Sequence, residues 1–443
     1  MSKLLITNAR IVNEGATTEG DLRISNGRIE TIGSGLTAAA GEEVIDANGA
    51  WLMPGMIDDQ VHFREPGLTQ KGDMATESSA CVAGGITSFM EMPNVNPATT
   101  NATELEGKYD RAAGRARANY AFYLGATNDN IDDIRALKPG QACGVKIFMG
   151  ASTGSLLVDN EEALHAIFAD CPTLIATHCE DTPMINLAEQ AAREKYGEDV
   201  PMSEHPSIRS ADACYKSSSL AVELAREHGS RLHILHLTTA RELSLFTAGP
   251  AAGKRITGEA CVHHMWFDEG DYDRLGAQIK CNPAIKRKED REAIVAAVAN
   301  DVIDVIATDH APHTREEKAG TYFNAPAGLP LVQHALLMTL EHVHAGRFSL
   351  EHAVRKTSHS VADIYGVADR GYIREGYWAD LVLVDPDTPT VVREEDLLYK
   401  CGWSPLTGYE FKSSILATLV NGEVAWRDGQ LTNVIAGARL GFC

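Results

Sequence analysis

Eight short apolar runs recur between residues 55 and 310, and helix-patterned stretches separate them. They are GMIDDQVH, ITSFMEMP, NYAFYLGAT, GVKIFMG, PTLIATHCE, RLHILHLT, RITGEACVH and VIDVIATDH. A continuous apolar strand is buried on both faces, and a parallel sheet covered by its own crossover helices provides that burial. Stretches such as SSSLAVELAREHG and REAIVAAVAN supply the helices. The chain is therefore read as α/β, with a (β/α)8 barrel of the TIM type as the expected fold and a doubly wound open sheet as the rival. The flanks differ. LLITNARIV and DLRISNGRIETIG at one end, and ADLVLVDP and ILATLVNGEVAWRDG at the other, alternate like half-exposed strands with Gly and Asn at their turns. Residues 1–52 and 371–443 are expected to form two halves of one small β-domain beside a barrel at 53–370.

Charge and cysteine usage exclude several functions. The net charge of −21 disfavours nucleic acid, whose phosphates need a cationic surface, but leaves room for a small anionic substrate in a local cationic pocket. Nine cysteines without a CxxC pair argue for neither a disulfide framework nor a thiolate zinc knuckle. No apolar run is long enough to span a membrane, and the start MSKLLITNARIV lacks signal-peptide features, so a cytoplasmic location is expected.

Polar residues gather where the apolar runs end, and in a barrel those ends form the active-site face. Strand alternation places Asp58, Gln60, His62 and Arg64 on one face of the first run. The fourth run carries Lys146, the fifth ends at His178, the sixth at His236 and the eighth at Asp309-His310. Imidazoles with one carboxylate suit zinc or a similar divalent ion in an open catalytic site. Alternation points His310 away from Asp309, which makes it structural.

Three of these stretches carry a family resemblance that covers nearly the whole chain. PGMIDDQVHFREPG, AGGITSFMEMPNVNP and ATDHAPHTREEK resemble, in order and spacing, the signature segments of dihydroorotases in the amidohydrolase superfamily. KCNPAIKRKEDR is a looser match. The resemblance implies one or two zinc-type ions. His62 and Asp309 would bind the first, His178 and His236 the second, and a carboxylated Lys146 would bridge them. A metal-bound hydroxide would attack the ring amide while Asp309 moves the proton. Arg64, Asn94 and His313 would hold the substrate carboxylate, and Asn282, Ala327 and Gly328 would contact the ring. The reaction implied is the reversible cyclisation of N-carbamoyl-L-aspartate to dihydroorotate in pyrimidine synthesis.

Gln60 departs from the family, which has histidine there. An amide oxygen is a weak, neutral ligand, so the first site is expected to be partly filled and the second to bind more tightly. Residues Ala311 to Gly328 form a long polar segment, expected to be a lid. Hydantoinases and allantoinases would share barrel and metals but generally lack an arginine two residues after the metal histidine. A catalytically weak partner protein is the reading from outside enzymology, and Gln60 is its only support. A homo-oligomer, or association with other pyrimidine-pathway enzymes, stays open.

Overall fold

The computed structural model describes residues 3–150 and 156–443. Each of the eight apolar runs contains a strand. In order they are Met56–Val61, Ile86–Glu91, Asn119–Phe122 (continued by Leu124–Gly125), Val145–Phe148, Ile175–His178, Leu232–Ile234, Ile256–Cys261 and Val305–Ala307. Successive strands pair in parallel. The ring closes where Val61 bridges His310 and the His62 N–H donates to the His310 carbonyl at 2.7 Å. The fold is a TIM-type barrel with an additional β-domain.

The crossover helices form for local reasons. Ala211–His228 starts at Ser210, whose hydroxyl accepts from the Ala213 N–H, carries Arg226 and His228 in its last turn, and ends at Gly229 with φ 66°. Those are an N-cap, cations at the negative end of the helix dipole and a left-handed stop. Its buried stripe includes Cys214, Ser218, Ala221 and Val222, packed toward the barrel. Inside the barrel, Ile57, Met90, Ala121, Ala176, Leu235 and Ala307 belong to one apolar cluster. Phe89, Phe122, Ile147, Ile175 and Ile306 face the helices. All nine cysteines are unpaired.

One expectation about the first strand fails. Its register with the second strand shifts between Asp58 and Val61, so alternation breaks there. Asp58 turns toward the eighth strand and accepts from the Thr308 N–H at 3.1 Å and its hydroxyl at 2.6 Å. Asp59 takes the inward position, 3.2 Å from His233 on the sixth strand. Gln60 and His62 still face the barrel mouth, but Asp58 does not join them.

The terminal segments share one sheet. From one edge its strands run Gln430–Leu431, Glu423–Arg427, Ser414–Val420, Leu381–Asp385, Trp51–Pro54, Lys3–Asn13, Ala16–Ser25 and Arg28–Gly33. The N-terminal and C-terminal halves meet where Trp51–Pro54 pairs antiparallel with Leu381–Asp385. Asp380, buried beside this seam, is ion-paired with Arg370 and accepts from Asn119 of the third barrel strand at 3.0 Å, which ties sheet to barrel. Among the described residues no helix is long and apolar enough to cross a membrane.

Candidate active site

The loops leaving the first, sixth and eighth strands bend sharply at the mouth. Arg64, His236 and Asp309 have φ values of 70°, 40° and 47°, the left-handed region that side chains disfavour. Such strain, of order 1–3 kcal/mol per residue, persists only where surrounding contacts hold it, and it clusters at functional sites.

Two pairs of side chains converge here. His62 Nε2 lies 3.1 Å from Asp309 Oδ1, while its Nδ1 donates to Asn94 Oδ1 at 2.7 Å. Asn94 thereby fixes the His62 tautomer and leaves the Nε2 lone pair facing Asp309. In the second pair, His178 Nδ1 and His236 Nε2 are 3.0 Å apart. Glu180 Oε2 accepts from His178 Nε2 at 2.9 Å and is itself gripped by Arg209 at 2.6 Å. A carboxylate or amide oxygen behind His62 and behind His178 is the arrangement that orients metal-binding histidines.

Burial holds His62 and His178 below the usual imidazole range and His236 well below it, so all three are neutral donors near pH 7. Burial favours the acid form of Asp309, but its polar surroundings, His62 at 3.1 Å first among them and the buried Lys146 ammonium nearby, outweigh it and hold this carboxyl below its ordinary range. Lys146 is buried and makes no hydrogen bond to a described residue; its ammonium lies over the Phe148 ring at 4.7 Å. Burial lowers it to about 8, and its positive charge lowers the basicity of His62, His178 and His236 and favours the Asp309 carboxylate. Three neutral imidazoles, one carboxylate and a lysine that loses its proton easily fit a divalent ion of the zinc type. Replacing Glu180 by alanine is expected to weaken metal affinity about 10–100-fold, read by competition with a chromophoric chelator.

Beside these groups lies a cationic pocket. The Arg64 guanidinium is buried, donates from Nε to the Pro312 carbonyl at 3.1 Å, and has no carboxylate partner among the described residues. Its terminal nitrogen sits 3.1 Å from His313 Nε2. Lys71, which can only donate, contacts His313 Nδ1 at 3.1 Å, so the ring proton is on Nε2 and goes to the Ala327 carbonyl at 2.9 Å. The Arg64 donor facing that N–H is therefore left over. Asn282 Oδ1 is buried without a hydrogen-bond partner.

The expected lid is not a free flap. Lys318 is 5% exposed and donates to the carbonyls of Lys280, Pro326 and Gly328 at 3.1, 2.9 and 2.9 Å. Lys280 in turn holds the Tyr322 and Ala325 carbonyls at 2.5 and 2.7 Å, and the Trp403 N–H donates to the His313 carbonyl at 2.8 Å. The Gly328 N–H is also taken, by the Lys280 carbonyl at 2.8 Å, so both of its backbone groups assigned to the ring are already bonded within the protein. Trypsin is expected to spare the Lys318–Ala319 bond with or without substrate, as gel analysis of timed digests would show. His310 is structural as expected: Nε2 contacts Glu77 at 2.6 Å, and Nδ1 accepts from the Leu331 N–H at 2.9 Å.

Sequence reading missed Glu180, Arg209, Lys71, Trp403 and the His263–His264 pair. Glu180, two residues beyond His178 in a strand-end run, and His263, the last residue of the seventh run, carried a signal. Among the described residues three further groups of potential metal donors occur: Asp59–His233–Glu259, Cys261–His263–His264 and the partly exposed His165–Glu227–His228.

Comparison with known proteins agrees with this geometry. Residues 51–425 match the amidohydrolase family. A dihydroorotase of Halobacterium salinarum is 32% identical over 97% of this chain and 99% of its own. An allantoinase of Bacillus velezensis is 29% identical over 96% of this chain and 94% of its own. Among solved structures, L-hydantoinase (dihydropyrimidinase) from Arthrobacter aurescens superposes with TM-score 0.94 at 25% identity, covering 100% of both chains.

Proposed function

The chain belongs to the amidohydrolase family, and from that premise we propose that it is a dihydroorotase, interconverting N-carbamoyl-L-aspartate and dihydroorotate. It is a hydrolase of C–N bonds in cyclic amides. The observation that carries the substrate is Arg64, a buried guanidinium beside the converging donors that has no carboxylate of its own. Dihydroorotate brings a carboxylate that takes no part in the reaction, and a planar guanidinium can hold it through two hydrogen bonds. Hydantoin and allantoin bring no such group.

In this reading His62 and Asp309 would hold one zinc-type ion and His178 and His236 a second, with Lys146, once carboxylated, supplying a further anionic ligand. The lowered basicity of Lys146 supports that modification, since only the neutral amine reacts with CO2. Bound ions supply water that ionises near pH 7 and polarise the ring carbonyl. Asp309 accepts the proton of the attacking water and passes it to the leaving ring nitrogen, one group acting as base and then acid. Gln60 Nε2 donates to Asp309 Oδ1 at 3.1 Å and steadies that carboxylate. Arg64 fixes the ring so that the reacting carbonyl faces the donors. Ring closure runs the same steps in reverse. A cytoplasmic location, and self-association or contact with neighbouring enzymes of the pathway, belong to the same reading.

The test is a side-by-side assay of the purified chain on dihydroorotate, hydantoin and allantoin. Turnover of dihydroorotate that a chelator abolishes and zinc restores supports the proposal. Turnover of hydantoin or allantoin alone would move the chain to those activities, and metal-independent inertness toward all three would favour a partner role.

A further inference from the structure

Three side chains inside the barrel converge and leave four polar atoms unpaired. Asp59 on the first strand, His233 on the sixth and Glu259 on the seventh are fully buried. Asp59 Oδ1 and Oδ2, His233 Nε2 and Glu259 Oε2 have no hydrogen-bond partner. Yet His233 Nε2 lies 3.2 Å from Asp59 Oδ2 and 3.8 Å from Glu259 Oε2, and one donor atom from each residue falls within 4.8 Å of the others. Donors about 2.1 Å from one tetrahedral ion sit about 3.4 Å apart, so these separations suit a shared ion.

The remaining atoms of the three residues are anchored. His233 Nδ1 is 2.7 Å from the Thr257 hydroxyl, which gives its own proton to the Leu232 carbonyl at 3.3 Å. Nδ1 therefore carries a proton, and Nε2 is the nitrogen turned to the carboxylates, the orientation of a metal-binding histidine. Glu259 Oε1 accepts from the His236 N–H at 2.9 Å and from the Cys261 thiol at 3.2 Å, which leaves Oε2 for the cluster. The Tyr123 hydroxyl holds the Asp59 backbone carbonyl at 2.9 Å. Among the described residues neither carboxylate is ion-paired with lysine or arginine. Buried charges persist where they are paired or coordinate a metal. One imidazolium offsets a single carboxylate, whereas a divalent ion offsets both.

We propose that Asp59, His233 and Glu259 bind a divalent ion of the zinc type, a structural site inside the barrel made of none of the residues assigned to the mouth. The ion ties the first strand across the barrel interior to the sixth and seventh, with which that strand does not pair. Through Glu259 it also steadies the backbone of His236.

The test uses the purified full chain loaded with zinc and crystallised, with diffraction recorded on both sides of the zinc absorption edge. An anomalous peak about 2.0–2.2 Å from Asp59, His233 Nε2 and Glu259 Oε2 is expected. No peak there would overturn the proposal, whatever the mouth holds. Metal counting on wild type and Asp59→Val gives a second reading, since valine occupies the space without a donor atom. The variant should hold one ion fewer, and equal counts would overturn the proposal. If Asp59→Val does not fold, the wild-type peak decides alone. Nitrogen NMR of the loaded wild type should show His233 with a single ring proton. Protons on both nitrogens would give the ion's work to a proton and overturn the site. Ions at the mouth with none here leave the functional reading standing, and an ion here with none at the mouth removes that reading and keeps this one.

Discussion

Replacing Arg64 by methionine is expected to lower kcat/KM for dihydroorotate about 10²–10³-fold while leaving the fold intact. Removing one partner of a buried, hydrogen-bonded charge pair costs about 2–5 kcal/mol, and 1.36 kcal/mol is tenfold in rate. Methionine retains apolar volume in a pocket walled by Pro312 and His313, and among the described residues the one hydrogen bond sacrificed is that to the Pro312 carbonyl. Steady-state kinetics on dihydroorotate and on hydantoin make the comparison. The dihydroorotate constant should collapse, and any rate measured on hydantoin should change by less than about threefold, because hydantoin offers no carboxylate for a guanidinium to hold. Arg64→Lys should fall between, since an ammonium keeps the charge but loses the two-pronged geometry. Equal losses on both substrates would place Arg64 among general structural supports and undo the substrate assignment.

Asp309→Asn is expected to lower kcat at least about 10³–10⁴-fold, the scale of a lost acid–base group compounded by a lost anionic ligand. Asparagine is chosen because Asp309 sits at φ 47°, where it is among the few side chains tolerated. The substitution therefore changes chemistry without releasing backbone strain into the loop. Metal content measured on the same sample separates the two contributions. A variant that keeps both ions and still loses turnover assigns the loss to proton transfer. A variant that keeps wild-type turnover would remove Asp309 from the mechanism.

The barrel was legible because its signal is local. Eight apolar runs, each with a polar terminus, lie where strands were expected, and the side chains at their ends meet at one mouth. Distances between pairs distant in sequence were not legible. Asn94 was assigned to the substrate, yet its carbonyl oxygen holds His62 across 32 residues. The segment after Pro312 has the composition of a flexible loop. It is immobilised by Lys280 and Lys318, two lysines that bury their charges to bind its carbonyls, and nothing in a loop's composition announces such donors. Asp58 and Asp59 show the limit of periodicity: one register shift exchanges their faces, and a bulge leaves no mark in a run of six residues. His263 stands at the end of the seventh run, and one strand-end imidazole by itself does not separate a ligand from a buried neutral side chain.

The seam between Trp51–Pro54 and Leu381–Asp385 has a consequence for how the protein is made. The strands Lys3–Asn13, Ala16–Ser25 and Arg28–Gly33 can pair with one another, and with Glu43–Asp46 and Trp51–Pro54, early in synthesis, but the outer edge of Trp51–Pro54 has no partner until residue 385 emerges. At roughly 5–20 residues per second, that edge waits tens of seconds of synthesis, exposed as a template for another chain. The barrel differs: its closing seam joins Val61 to His310 and needs no residue from the C-terminal strands.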